Sequence, residues 1–590
     1  MSAQATDESG RSIGHNPRSG FDGLLRNLAL AGRAVRTLAL ATLPAQPGSL
    51  GAFVERNATR TPDKPALLFA EHRWTWAQLD EVANRVAQWF LARGARSGDV
   101  VALALGTRPE AVFALAGLNK IGVVAALPHA GVRGEPLRHA LASVRPRWLL
   151  AAPWLVGDLC DAGDAEPIVW DDGFREALGR ASTERPGSAS VQPGDAVALY
   201  MFTSGTTGLP KAARITNRRF TLMALAFAHT IGALRPDDVT YGALPLSHAT
   251  GALGGLGSVA AAGTTLALRD GFSTTAFWSD CVRHGATVVP YIGEVCRFLL
   301  QASESPDERR HRVRLFYGAG LRRDVWIAFQ QRFRVPEIVE YYGSTEGNVA
   351  LINVEGIPGM IGRLSFGQAV VRVDPETAEP IRDPQGRVVE AAEGEPGMLV
   401  GRISALTRFD GYSDRDATEK KILRNAFGDG HDWFATGDLV VKHPGGGHVS
   451  FSDRLGDTFR WKGENVSTAQ VAEVLARATG VCEAIVYGVE VPGYEGRAGM
   501  AALVTDPGFS PDRFASEIAA SLPRTARPVF LRILERPDLT ASFKYVTTRF
   551  KREGFDPRAL ADPLWVASGD GYEPLTPEVH DRLRAGAIRL

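Results

Sequence analysis

From Tyr200 to Lys211 the chain reads Tyr-Met-Phe-Thr-Ser-Gly-Thr-Thr-Gly-Leu-Pro-Lys, and an apolar run, Val197 to Phe202, stops abruptly at hydroxyls, glycines and one lysine. The pattern is a strand feeding a loop. Gly205 and Gly208 let backbone amides approach a ligand, Thr203, Ser204, Thr206 and Thr207 supply hydroxyl donors, and Lys211 adds a cation, a combination suited to a polyphosphate. It is not a Walker A loop, in which the lysine directly follows a glycine and opens a helix; here Pro210 stands between Gly208 and Lys211. A Gly/Thr-rich loop is also an ordinary surface turn, so its meaning depends on the elements that hold it and on what lies downstream.

With 590 residues, the chain exceeds one ordinary domain and predicts two or three units with a large buried core. Lys+Arg and Asp+Glu both number 66, so no global basic field points to nucleic acid. Cys160, Cys281, Cys296 and Cys482 show no Cys-x-x-Cys spacing, which argues against a disulfide framework or structural zinc and fits a reducing, cytoplasmic compartment. Residues 1–18 are polar and predict a disordered tail. Residues 19–46 contain an amphipathic helix over 23–40: Leu24, Leu28, Ala31, Val35 and Leu38 share one face, Arg26, Arg33 and Arg36 another. Such a helix suits peripheral contact with the inner face of a membrane, or docking on its own domain with a solvated arginine face. The uncharged stretch Ala249 to Leu268 is long enough to span a bilayer, but five glycines and a Gly263-Thr-Thr break favour a buried helix followed by a strand.

From Leu50 the pattern alternates strand and helix. Helices are predicted over 53–58, 77–93, 109–121 and 135–143, and strands over 66–69, 74–76, 99–105, 123–127 and 148–152, which implies a parallel, doubly wound sheet. Residues 158–195 read as loop. A helix over 220–233 and strands over 239–244, 286–291, 314–320 and 338–346 continue the series. Three of these strands end in Gly or polar residues, and in open α/β sheets such carboxyl ends converge on the ligand site. Residues 362–441 read as a small, mostly antiparallel β unit. A hairpin, 439–442 with 448–452, leads through Asp453-Arg-Leu-Gly-Asp457 into a compact unit with helices over 468–478 and 511–522 and strands over 483–489, 499–504 and 529–534. The fold class is therefore α/β: a large N-terminal unit of doubly wound sheets plus a small β unit over 47–455, and a small mobile α+β C-terminal domain over 456–590. The hinge is expected near Leu455 to Asp457, where Gly456 can absorb a large backbone change.

Four motifs, Tyr200 to Lys211, Tyr341-Tyr-Gly-Ser-Thr-Glu346, Thr436-Gly-Asp438 and Asp453-Arg454, resemble in order and spacing those of the adenylate-forming enzymes: acyl-CoA synthetases, luciferases and peptide-synthetase adenylation domains. The resemblance spans nearly the whole chain from about Leu50. A narrower one is to the very-long-chain acyl-CoA synthetase and fatty acid transport protein branch. Asp457-Thr-Phe-Arg-Trp-Lys-Gly-Glu-Asn-Val-Ser-Thr468 looks like that branch's signature, as do Lys120-Ile-Gly122, Arg133-Gly-Glu-Pro136, Tyr291-Ile-Gly-Glu294 and Glu553-Gly-Phe-Asp-Pro557.

The resemblance implies two half-reactions. A carboxylate attacks the α-phosphate of Mg-ATP to give acyl-adenylate and pyrophosphate, and the thiol of coenzyme A then displaces AMP. Bringing an anionic nucleophile to a phosphate requires cations and donors. Thr203 to Gly208 and Lys211 would hold the β- and γ-phosphates, Glu346 would bind Mg²⁺, and Thr345 would contact the α-phosphate. Gly318-Ala319-Gly320 with Tyr341 and Tyr342 would sandwich adenine; as ordinary strand-end core the tyrosines need no ligand. Asp438 would accept both ribose hydroxyls and Arg454 would donate to the same sugar, while an Asp453–Arg454 salt bridge is compatible with that role. Lys544, in Leu539-Thr-Ala-Ser-Phe-Lys544, falls at the family's C-terminal catalytic lysine; the branch usually reads Thr-Gly-Thr-Phe-Lys, Ala541-Ser542 replace Gly-Thr here, and Lys551 is the alternative. His248 occupies the histidine of a Pro-Leu-Tyr-His gate in which Ser247 replaces the tyrosine. Ala249 to Leu268, with Phe298 and Leu299, are the candidates for an acyl tunnel, a role core packing explains equally. Gly463 would let the CoA arm pass after the small domain rotates, and Lys462 or Arg460 would meet its phosphates. The expected function is an ATP-dependent long- or very-long-chain acyl-CoA synthetase. Competing readings are a CoA ligase for a steroid, bile-acid or aromatic carboxylate, a fatty-acid uptake protein with residual chemistry, and an adenylation module serving a carrier protein.

Overall fold

The computed structural model describes residues 32–35, 37, 48–129, 132–155, 164–187, 192–204, 210–345, 347–374, 377–405, 407–445, 447–455, 457–462, 464–494, 496–536, 547–588 and 590. The tail over 1–18, most of the helix over 23–40, the loop over 205–209, Glu346, Gly456, Gly463 and Lys544 lie outside the described residues.

Two sheets with parallel cores carry the large unit. One has the strand order Ala350–Asn353, Glu337–Gly343, Leu315–Ala319, Val288–Ile292, Val239–Gly242, Thr265–Leu268, Pro65–Phe69, His72–Thr75, with every pair parallel except the two at the edges. The other runs Glu166–Val169, Trp148–Ala151, Val100–Ala104, Val124–Leu127, Val197–Ser204, Pro210–Thr216, and only its last pair is antiparallel. The inner strands are apolar throughout because both faces are covered. Between the sheets lie the helices Leu50–Arg60, Trp76–Ala92 and Pro109–Lys120, sharing one hydrophobic core with both. Helix Pro109–Lys120 is buried on every side except at Glu110, as its all-round apolar sequence demands. It closes on helix Trp76–Ala92 at Gly117, where a Cβ would lie 2.5 Å from the Ala83 carbonyl oxygen. At its end the fully buried Lys120 Nζ meets Asp80 Oδ1 at 2.6 Å, Asn84 Oδ1 at 2.6 Å and Glu55 Oε1 at 3.1 Å; a buried ammonium is tolerated only with such partners.

Two stretches depart from the sequence reading. The region read as loop over 158–195 holds the strand Glu166–Val169 and the helix Asp172–Arg180. The strand is an edge with one neighbour, and the helix buries only Phe174 and Leu178, so neither needs the apolar periodicity that marks a core element. The helix predicted over 220–233 begins at Asn217, capped by the Thr216 side chain, and widens into a π-helix over Ala226–Ile231; Thr250–Gly257 is a second π-helix. The wider turns shift the ordinary carbonyl pairing, and Tyr317 donates its hydroxyl to Gly254 O at 2.6 Å while Ser258 donates to Gly255 O at 3.0 Å.

The remaining strands are antiparallel in the β unit, in the order Gly362–Arg363, His448–Arg454, Trp433–Lys442, Pro396–Arg402, Gln368–Val371, with Ile422–Leu423 paired to Trp433–Lys442. The C-terminal residues form a five-stranded mixed sheet, Val481–Val489, Ala498–Thr505, Phe530–Leu534, Leu564–Ser568, Gly571–Pro574, with a core of its own. The branch-signature stretch folds as a hairpin, Phe459–Trp461 with Glu464–Val466, whose Phe459 and Trp461 enter that core. Several contacts tie this sheet and its first helix to the rest, Gln301 Nε2 donating to Cys482 O and Ser467 Oγ to Ser452 O, each at 3.1 Å, among them. Arg297 meets Glu483 at 3.1 Å, and Asp453, on strand His448–Arg454, accepts from the backbone N–H and hydroxyl of Thr468 at the start of helix Thr468–Leu475.

Candidate active site

The carboxyl ends of the parallel strands and the inner strands of the β unit enclose a cavity of about 1820 Å³. The strand leaving Val197 runs to Ser204 and pairs antiparallel with Pro210–Thr216. Lys211 belongs to the returning strand, directly opposite Thr203, and not to the loop as the sequence suggested. Pro210 is tolerated because it opens that edge strand. Thr203 and Lys211 both line the cavity, and the Lys211 ammonium lies 6.0 Å from the centre of the Tyr412 ring.

Strand Glu337–Gly343 divides the cavity, because consecutive side chains on a strand point to opposite faces. Tyr342 donates its hydroxyl to Asp438 Oδ2 at 2.5 Å; burial and the adjoining carboxylate push its phenol above the usual range, so it stays a donor. Asp438 Oδ1 lies 3.5 Å from Arg454 Nε, its partner across the strand pair. Tyr341 faces the other way: its hydroxyl is 3.0 Å from Thr250 Oγ1 and its ring meets Phe227 edge-on. The two tyrosines therefore do not stand on the same side of one ring. His248 precedes the π-helix, and its Nδ1 accepts the Thr250 N–H at 3.3 Å, so a neutral ring carries its proton on Nε2. Thr345, His248, Ala319, Gly320, Tyr341, Tyr342, Asp438 and Arg454 all line the cavity.

Other candidates are placed elsewhere. Gly318 does not line the cavity: a Cβ there would lie 2.6 Å from Tyr291 Cγ, so the glycine makes room for that ring. Asp453 does not pair with the Arg454 side chain. It is buried, 4% exposed, and accepts from Ser467, Thr468 and the Arg454 backbone N–H. Of the tunnel candidates, Ala249, Thr250 and Leu253 line the cavity, while Leu299 is core and Phe298 stacks on Phe272. Leu222, Met223, Ala226 and Phe227, on the first π-bearing helix, complete the apolar wall. Lys551 is held by Asp457 at 2.9 Å and does not reach the cavity. Lys462 stands at the turn of the signature hairpin with φ +49°.

Three supports had no sequence signal. Arg219 donates to the carbonyls of Ser344 at 3.2 Å and Gly347 at 2.6 Å, gripping the turn that carries Thr345. Asn348 ties the same turn to Arg402 O and Thr407 O. Glu340, one row behind Tyr342, is buried and receives the Tyr291 hydroxyl and the N–H groups of Gly320 and Leu321; burial pushes its carboxyl up to about 8. The buried Ser344 hydroxyl, beside Thr345, has no protein partner among the described residues. With Lys211, Thr203 and the Asp438–Arg454 pair lining the same cavity, that orphan donor fits a phosphate-bearing ligand.

A family profile described as "AMP-binding enzyme" matches residues 54–408. The mouse long-chain fatty acid transport protein 1 is 42% identical over 90% of this chain and 87% of its own length. The medium/long-chain-fatty-acid–CoA ligase FadD6 of Mycobacterium tuberculosis is 39% identical over 92% of both chains. Among solved structures, the ATP-bound RpMatB-BxBclM chimera B3 superposes with a TM-score of 0.74 at 22% identity, covering 86% of this chain and 99% of that one. A Mycobacterium tuberculosis fatty acyl CoA synthetase does so with a TM-score of 0.63 at 24% identity, covering 86% and 98%; both likenesses speak to the fold. The shared fold and the match over more than half its length mean that the chain belongs to the AMP-binding enzyme family.

Proposed function

We propose that this chain is an acid–thiol ligase that activates a long-chain fatty carboxylate with Mg-ATP and passes the acyl group to coenzyme A. The observation that carries the reading is the division of one cavity by strand Glu337–Gly343. Its Tyr342 side is polar, with Asp438 and Arg454, and its Tyr341 side is apolar, with Phe227 and Leu253. A nucleotide on the first side and an acyl chain on the second meet at Thr345 and His248. The names of the two relatives above, one a fatty acid transport protein and one a fatty-acid–CoA ligase, support a fatty substrate.

In the first half-reaction a substrate carboxylate oxygen forms a bond to the α-phosphorus as the bond to pyrophosphate breaks. Asp438 and Arg454 orient the ribose, Thr203 and Lys211 offset the charge of the departing phosphates, and Thr345 donates at the reacting phosphate. Glu346 is the residue assigned to Mg²⁺, which supplies further neutralisation at the phosphates when bound. Lys544 is assigned to bridge carboxylate and α-phosphate. In the second half-reaction the CoA sulfur bonds to the acyl carbon, AMP leaves with the bonding pair, and the thiol proton passes to solvent. Gly463 is assigned to the CoA path.

The N-terminal helix is proposed to touch a membrane surface. Thr37 is buried against Thr230, with the hydroxyls 2.8 Å apart, whereas Val35, one of the apolar-face residues, is 68% exposed.

The test is a panel of carboxylates graded in length and including ring-bearing acids, assayed for AMP release that depends on both ATP and CoA. Turnover peaking at long chains supports the reading. Turnover confined to ring acids would move the substrate class, and binding without AMP release would favour uptake, the reading that the transport-protein name favours.

A further inference from the structure

Tyr291, Gly318 and Glu340 form one row across three neighbouring parallel strands: Tyr291 is the register partner of Gly318, and Gly318 of Glu340. The middle position has no side chain. A Cβ at Gly318 would lie 2.1 Å from the Tyr291 carbonyl oxygen and 2.6 Å from its Cγ, so Tyr291 takes up that space, and its ring reaches across to donate its hydroxyl to Glu340 Oε2. The other carboxylate oxygen, Oε1, receives the N–H groups of both Gly320 and Leu321, the latter at 3.1 Å. Gly320 holds φ +84°, and a Cβ on Gly293 would lie 1.8 Å from its carbonyl oxygen, so the turn is also clamped from the adjoining strand end. Each polar atom of this row is buried and has its partner, which makes the arrangement rigid and costly to disturb.

We propose that Tyr291 and Glu340 are positioning residues: a buried brace, admitted by Gly318, that sets the Ala319–Leu321 turn against which the nucleotide binds. The proposal rests on the reading of the Tyr342–Asp438 side as the nucleotide side. It reassigns Gly318 from ligand contact to clearance for the brace, and it gives the Tyr291-Ile-Gly-Glu294 stretch a mechanical reason: Tyr291 spans the row and Gly293 lets the two turns touch. Neither residue meets the reacting atoms; both act through the backbone of Gly320 and Leu321.

The test uses the full chain and steady-state KM for ATP, carboxylate and CoA, with binding of a fluorescent ATP analogue as a readout besides turnover. Tyr291→Phe removes one hydroxyl and should raise KM for ATP about fivefold to tenfold while the other two KM values stay within about twofold. Glu340→Ala should exceed tenfold, and Glu340→Gln, which keeps an acceptor for both N–H groups, should return most of the loss. Gly318→Ala, whose Cβ would press on both the Tyr291 carbonyl oxygen and the base of its ring, should reproduce the ATP-specific defect. Asp438→Ala is the control for the underlying reading. If it weakens ATP while Tyr291→Phe and Gly318→Ala do not, or if those two raise all three KM values alike, the brace is refuted. If Asp438→Ala leaves ATP affinity unchanged, the nucleotide reading itself falls.

Discussion

Replacing Asp453 by alanine should loosen the junction between the β unit and the C-terminal sheet. The carboxylate is buried and takes the Thr468 N–H at 2.6 Å, the Thr468 and Ser467 hydroxyls at 3.0 and 3.1 Å, and the Arg454 N–H at 2.8 Å. Burial pushes its carboxyl up from the ordinary range, and these donors offset only part of that push. The substitution therefore relieves some desolvation while stranding donors. Stranding the buried Thr468 N–H costs about 2 kcal/mol and the Thr468 hydroxyl, which can rotate toward water, adds about 0.5 kcal/mol, while the Ser467 hydroxyl keeps Ser452 O as an acceptor at 3.1 Å. Less the relieved desolvation of the carboxylate, the net loss should be about 2 kcal/mol. Ser467 still caps the helix by accepting the Gln470 N–H, so the helix survives and the failure is one of docking. Hydrogen exchange over 467–475 should accelerate by about thirtyfold, the urea midpoint should fall, and Arg454, now unanchored at its own N–H, should raise KM for ATP. A loss under about 1 kcal/mol with unchanged exchange would refute the reasoning.

Lys544→Ala should lower ATP–pyrophosphate exchange by at least about a hundredfold while sparing thiolysis of supplied acyl-adenylate; full exchange would return the role to Lys551, which would first have to leave Asp457. Burial pushes the Glu340 carboxyl up to about 8 from about 4.5, so the stability it confers is complete below about 4.5 and is lost as pH rises through about 8. The Glu340→Gln variant should flatten that decline, worth about 5 kcal/mol at its ceiling, in thermal midpoints measured from pH 5 to 9; parallel curves would contradict it. Deleting residues 1–40 should reduce recovery on anionic vesicles and leave kinetics in detergent-free buffer within about twofold, whereas unchanged recovery would make the helix purely a docking element.

The parallel strands were legible because a strand covered on both faces must be apolar throughout, as Val100–Ala104 and Leu315–Ala319 are. The π-helices were not. Thr250–Gly257 is buried all round, so no periodicity marks its widened turn. Adjacent motif residues misled for one common reason. Tyr341 with Tyr342, and Asp453 with Arg454, look like pairs when written in a line, yet each pair sits on a strand and splits between its two faces. Asp453 goes to the helix and Arg454 to Asp438; Tyr341 goes to Thr250 and Tyr342 to Asp438. Gly318 misled differently: its lack of a side chain was visible, but the occupant of the gap comes from another strand, 27 residues earlier and its register partner.

The dividing strand has a consequence for how such an enzyme changes over time. Because Tyr341 and Tyr342 are joined by one peptide bond, the separation between the two halves of the cavity is set by covalent geometry and not by loop packing. Leu222, Met223, Phe227 and Leu253 can be exchanged for larger or smaller side chains, altering which acids fit, without moving Asp438 or Arg454. Acid selectivity and nucleotide chemistry are thereby separately adjustable, hinged on a single backbone step.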